Sequence, residues 1–340
     1  MREMQKSQID ISPFNSFYFK DCIYNSLFSV LSYYDKPIWP VLANTSITYK
    51  AAALPHTPIT KHTDALLHAP IVEYTDAMPL EMLLERMGAP IRYYDNHGKQ
   101  MLNDIRKGIE EGIPTGVFVD CYSEKTRKDT FGIQHNDHCI LVCGYDSDGF
   151  TVLEQSSMNA LNYRPVCMSK EELLCASNGY YTYYVVPGKV PAYMYYQLQK
   201  SDHDDVLCEE IVQAHAAGIL TQDDRGYICE ETIGGCMCRV LNVLLGKEEC
   251  KDWNDILIML NDIVNIRKMQ QALYGFFWSE VGVWLKEAIT EWSFFRMSLF
   301  RLLEGVYDDE NRLTDRFMKL TEIERKILHA VLAGCNKILE

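Results

Sequence analysis

The chain has 340 residues, 47% of them apolar and 24% charged, with a formal net charge of −14, enough for one or two globular cores. That acidic balance excludes a sequence-blind nucleic-acid binder and disfavours an anionic membrane surface as partner, since both need a basic face. No apolar run reaches the roughly 18–20 residues that span a bilayer, and residues 1–10 lack the apolar core of a secretory signal. A cytoplasmic location is therefore expected.

In chain order, Asp21 can cap a helix running to about Tyr34, with Ile23, Leu27, Val30, Leu31 and Tyr34 on one face. Lys36-Pro37 stops it. Trp39 to about Thr75 lacks a clear period and reads as extended loop, in which His56, His62 and His68 recur at a spacing that suits neither a helix face nor a metal site. Pro79 suits a first helical position, and Leu80, Leu83, Leu84 and Met87 form a stripe that Gly88 ends. A strand is predicted at Ile91 to Tyr94, a helix from Lys99 to Gly112 and a buried strand from Pro114 to Tyr122. Two more strands, His138 to Tyr145 and Gly149 to Gln155, flank the turn at Asp146 to Gly149. Ser169 and Glu172 make a capping box, and Tyr180 to Val186 reads as a closing strand.

Pro187, Gly188 and Pro191 mark a boundary. Beyond it helices are predicted at Asp204 to Ala217, Glu230 to Leu245, Lys251 to Tyr274, Val281 to Leu303 and Thr314 to Leu339. Thr321 and Glu324 read as a second capping box, and Asp308 to Asn311 as a polar turn. The expected architecture is α+β for residues 1–190, followed at 191–340 by a helical bundle without a catalytic motif. Its expected role is a lid, a substrate wall or a homodimer face.

The 12 cysteines are not spaced as a disulfide framework, and most fall in apolar segments, which suits buried thiols in a reducing compartment. Cys236 and Cys238 are a close pair without the further ligands a zinc site needs. Cys22 differs. It follows a capping residue at the start of an amphipathic helix, where unpaired N–H groups and the helix dipole favour a thiolate. Its backbone N–H is also suited to an oxyanion hole.

The second working part is His138, opening an apolar strand that ends in Gly144-Tyr145; His135, in the preceding loop, is the weaker candidate. A base of this kind needs an acceptor to fix its tautomer. In a hairpin the strand after His138 returns beside it, which makes Glu154 the favoured partner and Gln155 the substitute. Lys125-Thr-Arg127-Lys128 is the best basic run, flanked by Glu124 and Asp129 and read as a solvated loop.

The His138 strand with Gly144 and Tyr145 resembles that of papain-like enzymes. Together with the early Cys22, the strand Val117 to Tyr122 and the acidic-ended strand Thr151 to Glu154, it is similar to the family named for the N-terminal domain of the butirosin biosynthesis H protein. The resemblance covers about residues 10–190. It implies a papain-like fold and acyl transfer: Cys22 takes an acyl group from an acyl carrier protein, or another thioester donor, and an amine-bearing small molecule accepts it. No cofactor of its own is implied, the phosphopantetheine being carried by the partner or substrate. Catalytic Cys22, His138 and Glu154 would be supported by Asn15, Asp21, Gln155 and Asp120, with Asn15 a candidate oxyanion donor. Two positions depart from the papain pattern: Ser16 stands where a Gln is usual, and Glu154 where Asp is frequent. A cysteine peptidase, amidase or thioesterase, or a non-catalytic binding module, would use the same residues.

Overall fold

In the computed structural model, which describes residues 7–50, 71–157, 160–201, 208–223, 253–304, 306 and 310–340, the chain divides into two units. The first is Met1–Ile38 with Pro79–Val206; the second is Trp39–Met78 with Leu207–Glu340. In chain order the described elements begin with β1 (Ser7–Gln8), α1 (Cys22–Tyr33), α2 (Trp39–Ala43), β2 (Thr45–Lys50), β3 (Ile71–Asp76), α3 (Leu80–Arg86), β4 (Ile91–Tyr94) and α4 (Lys99–Glu110). They continue with β5 (Thr115–Asp120), β6 (Asp137–Tyr145), β7 (Gly149–Glu154), β8 (Arg164–Ser169), α5 (Lys170–Tyr180) and β9 (Tyr195–Leu198). The remaining helices are α6 (Cys208–Asp223), α7 (Trp253–Phe277), α8 (Ser279–Leu303) and α9 (Glu310–Leu339). No described helix is long and apolar enough to cross a membrane.

The described residues of the first unit form a seven-stranded sheet in the order β4-β9-β5-β6-β7-β8, with β1 pairing the far end of β6. Every pairing is antiparallel. This is the α+β class that the order of predicted elements implied. β6 is buried from His138 to Gly144, which explains why its sequence is apolar on both faces rather than alternating. α1 packs on this sheet with Leu27, Phe28, Val30 and Leu31 fully buried. Asp21 caps it, accepting from Ile23 N–H at 2.9 Å.

Three expectations fail here for identifiable reasons. Tyr180 to Val186, rich in β-formers, is not a strand. The Ser169–Glu172 capping box forms in both directions, and the helix it starts continues through Tyr180 into a π-helical turn at Tyr181–Val185, propagation outweighing residue preference. The boundary placed at residue 190 precedes β9, which lies between β4 and β5, so the first unit runs on to Val206. Trp39 to Thr75 is not a featureless loop. It supplies α2 and the antiparallel pair β2–β3 to the second unit, while His56, His62 and His68 lie outside the described residues.

β9 holds α1 at both ends. Tyr34 Oη donates to Leu198 O at 2.7 Å, and Tyr196 Oη donates to Ile23 O at 3.5 Å. Tyr196 lies flat against Gly116, where an added Cβ would stand 2.3 Å from its ring. We expect Gly116→Ala to force that ring aside and to cost about 1–3 kcal/mol, read as a lowered midpoint in urea, with faster alkylation of the loosened Cys22 segment.

In the second unit Trp292, Phe295, Leu285, Ala288 and Leu299 are fully buried along α8. Glu324 is not half of a capping box: α9 runs unbroken through it, and Thr321 Oγ1 donates back to Phe317 O at 3.1 Å. Glu324 instead accepts from Arg267 Nε at 3.0 Å and Nη2 at 2.5 Å, and from Trp292 Nε1 at 2.6 Å. This buried, fully hydrogen-bonded pair joins α7, α8 and α9. The helix expected at Glu230 to Leu245, the Cys236–Cys238 pair and Asp308–Asp309 of the polar turn lie outside the described residues, whereas Glu310 and Asn311, expected in that turn, open α9.

His215 on α6 is also buried, its Nδ1 2.9 Å from Ala43 O and its Nε2 3.0 Å from the Tyr274 hydroxyl. Burial pushes its pKa down to about 4. Because the unfolded chain binds this proton near pH 6.5 and the folded chain does not, stability falls as pH drops from about 6.5 towards 4. The loss expected is on the order of 3 kcal/mol. Urea titrations across that range should show it, and His215→Gln should flatten it.

Candidate active site

Lys20 adopts a left-handed backbone conformation, φ 55°, which costs a non-glycine residue on the order of 1 kcal/mol. The turn it makes delivers Cys22 to the first position of α1, half-buried, at the positive end of the helix, where Asp21 already occupies the N–H groups of Ile23 and Tyr24. Across from it His138, 5% exposed, opens β6 opposite Val119. The two side chains are near enough for the sulfur to act on the charge of the ring. The ring's Nε2 faces Glu154, 3.0 Å from Oε2 and 3.2 Å from Oε1, which leaves Nδ1 for the sulfur.

Burial pulls the His138 pKa down, but the Glu154 carboxylate and then Cys22 oppose it and prevail, so it stands well above the ordinary histidine value. Its neighbours among the other thiols behave differently. Burial drives Cys139 up strongly, and Cys121 and Cys143 each to about 11, so these remain inert apolar side chains. Not every thiol in an apolar segment is buried: Cys175 is exposed on α5, as is Cys167 on β8; the seven cysteines whose side chains are described are free.

Glu154 is 1% exposed and surrounded by donors. Besides His138 it accepts from Gln155 N–H at 2.8 Å and faces Arg127 Nη1 at 3.4 Å. The ring's partner is thus Glu154 rather than Gln155. The Gln155 amide, its oxygen towards Arg127 Nη1 (3.2 Å) and its nitrogen towards Ala160 O (3.0 Å), braces that guanidinium and is hydrogen-bonded to the Tyr18 hydroxyl.

The remaining supporting residues lie elsewhere. The Asn15 amide is joined in both directions to the Tyr163 backbone, Nδ2 to O at 2.9 Å and N to Oδ1 at 2.8 Å. It clamps the chain entering β8, and an amide so committed makes a poor oxyanion donor. Asp120 is fully buried but serves another histidine: its Oδ2 is 2.6 Å from His135 Nδ1, and it accepts from Tyr122 N–H at 3.1 Å. His135 is stacked between Tyr122 and Tyr183, with ring centroids 4.3 and 3.8 Å away.

Three contributors escaped the sequence reading. Arg127, taken for part of a solvated basic run, is 1% exposed and paired with Asp129 (3.2 Å) and Glu154. The run is therefore not a basic surface patch; Lys125 and Lys128 alone reach solvent. Glu124 is equally buried, and with His138 and Glu154 it brings three donor atoms within 4.8 Å of one another. That set could hold a small cation, but the Arg127 guanidinium already supplies positive charge there. Tyr18, its hydroxyl pushed up to about 12 by burial, completes the wall. No sequence signal separates these from ordinary loop residues, because charge pattern does not report burial.

Compared with models of known families the chain matches none, and no curated protein matches it.

We expect Arg127→Leu to leave Glu154 and Asp129 without their buried counter-charge. The cost should be about 3–5 kcal/mol, visible as a lowered urea midpoint.

Proposed function

We propose that the chain is a cysteine-dependent acyltransferase with a papain-like catalytic unit, in which Cys22, His138 and Glu154 form the triad. The observation that carries this reading is the convergence of a helix-start thiol, a buried imidazole with a raised pKa and a desolvated carboxylate. A nucleophile helix packed on an antiparallel sheet whose adjacent strands carry base and acid is the arrangement that the family resemblance implies.

The chemistry follows from those positions. The thiol passes its proton to His138, and the sulfur attacks the carbonyl carbon of a phosphopantetheine thioester. The oxyanion is held by the backbone N–H of Cys22 at the start of α1. Collapse breaks the donor's C–S bond, and His138 returns the proton to the leaving thiol. In the second half an amine attacks the acyl-enzyme; His138 takes its proton and the Cys22 C–S bond breaks, giving the amide. Glu154 keeps Nε2 occupied throughout, so that Nδ1 is the working nitrogen. The donor is an acyl carrier protein or a smaller thioester, the acceptor a small molecule with a free amine, and the setting specialised-metabolite assembly in the cytoplasm.

Incubation with a panel of acyl-thioesters should leave the acyl mass on Cys22 in intact-protein mass spectrometry, and Cys22→Ala should abolish it. Glu154→Gln should lower the transfer rate by about 10²-fold or more. Release of free acid at the same rate with and without amines would make the protein a hydrolase. Absence of any adduct would leave a non-catalytic binding module as the better reading.

A further inference from the structure

Beside the imidazole a second carboxyl group shares the pocket. Glu124 is 1% exposed, and its donor atom lies within 4.8 Å of those of His138 and Glu154. Its Oε1 accepts from Thr126 Oγ1 at 2.5 Å. Its Oε2 has no hydrogen-bond partner among the described residues. A buried carboxylate oxygen without a donor is costly, whereas the same oxygen bearing a proton can point at a neighbouring acceptor. We propose that Glu124 is a positioning residue that carries an exchangeable proton beside the His138–Glu154 pair, and that its ionisation sets how firmly His138 holds its own proton.

The charges around it support this. From β6 it faces His138, from β7 Glu154, and from its own segment Arg127 and the protonated thiol of Cys121. Arg127 is shared between Glu154 and Asp129, and its charge favours ionised Glu124 less than that of His138 does. Two carboxylates beside one imidazole leave the imidazolium as the remaining counter-charge, and Glu124 and His138 then titrate in linkage. Burial, and next the charge of Glu154, push the Glu124 carboxyl up to about 7. Below that value Glu124 carries the proton itself. Above it, the ionised carboxylate makes His138 retain its proton to higher pH. Since amine attack requires a neutral imidazole, the pH window of the second half-reaction is set in part by Glu124. That last consequence rests on the triad reading above; the linked titration does not.

The test uses the whole chain with ¹³C-labelled histidine, the His138 resonance being assigned by its loss in His138→Gln. Glu124→Gln keeps the shape and removes the charge. It should lower the His138 midpoint by on the order of 2 pH units, for unit charges less than 5 Å apart. Thr126→Val removes the donor that favours ionised Glu124 and should move the midpoint the same way by a smaller amount. A natively folded Glu124→Gln protein whose His138 titrates as in wild type would overturn the proposal. Should that variant not fold, an unshifted midpoint in Thr126→Val would do the same. Acyl transfer is not the readout, so a shifted midpoint in a protein that accepts no thioester keeps this inference and removes only the proposed function.

Discussion

Glu154 is a carboxylate withdrawn almost wholly from water, and such a charge persists only where donors surround it. Meeting that requirement organises its surroundings. Arg127 must fold inward from the segment between β5 and β6, Gln155 must turn its N–H back onto the preceding side chain, and His138 must present Nε2 rather than Nδ1. The last of these orients the ring towards Cys22. Cys22, His138 and Glu154 do not sit on an indifferent scaffold; the same desolvated charge that holds the loop together also selects the tautomer.

The thiols make the complementary point. Cys139 is adjacent to His138 in sequence, yet burial without a proton acceptor leaves it inert. Cys22 is half-buried, at a helix start, with an imidazole beside it. Placement, not residue type, separates a nucleophile from a core side chain.

Features governed by local chemistry could be read from the chain. Asp21 as cap, the His138 strand, the hairpin that returns Glu154 and the Ser169 capping box all follow from residue order over short spans. What escaped depends on distant partners. Tyr195 to Leu198 shows no alternation because all four residues are buried, and it follows Pro191, which looked like a terminus. Glu124 and Arg127 sit in a run of charges indistinguishable from a solvated loop until the sheet closes over them. Glu324 took the pattern of a cap residue, but its partners, Arg267 and Trp292, lie on other helices. The excursion of Trp39–Met78 into the second unit has no signature in periodicity at all.

The grip of β9 on α1 has a bearing on biosynthesis. The strand that fastens both ends of α1 is among the last parts of its unit to leave the ribosome, long after His138. Until it arrives, the segment bearing Cys22 lacks its anchors, and sulfur and ring have no fixed distance. A nascent chain would thus bring Cys22 and His138 to a set spacing only as the first unit is completed.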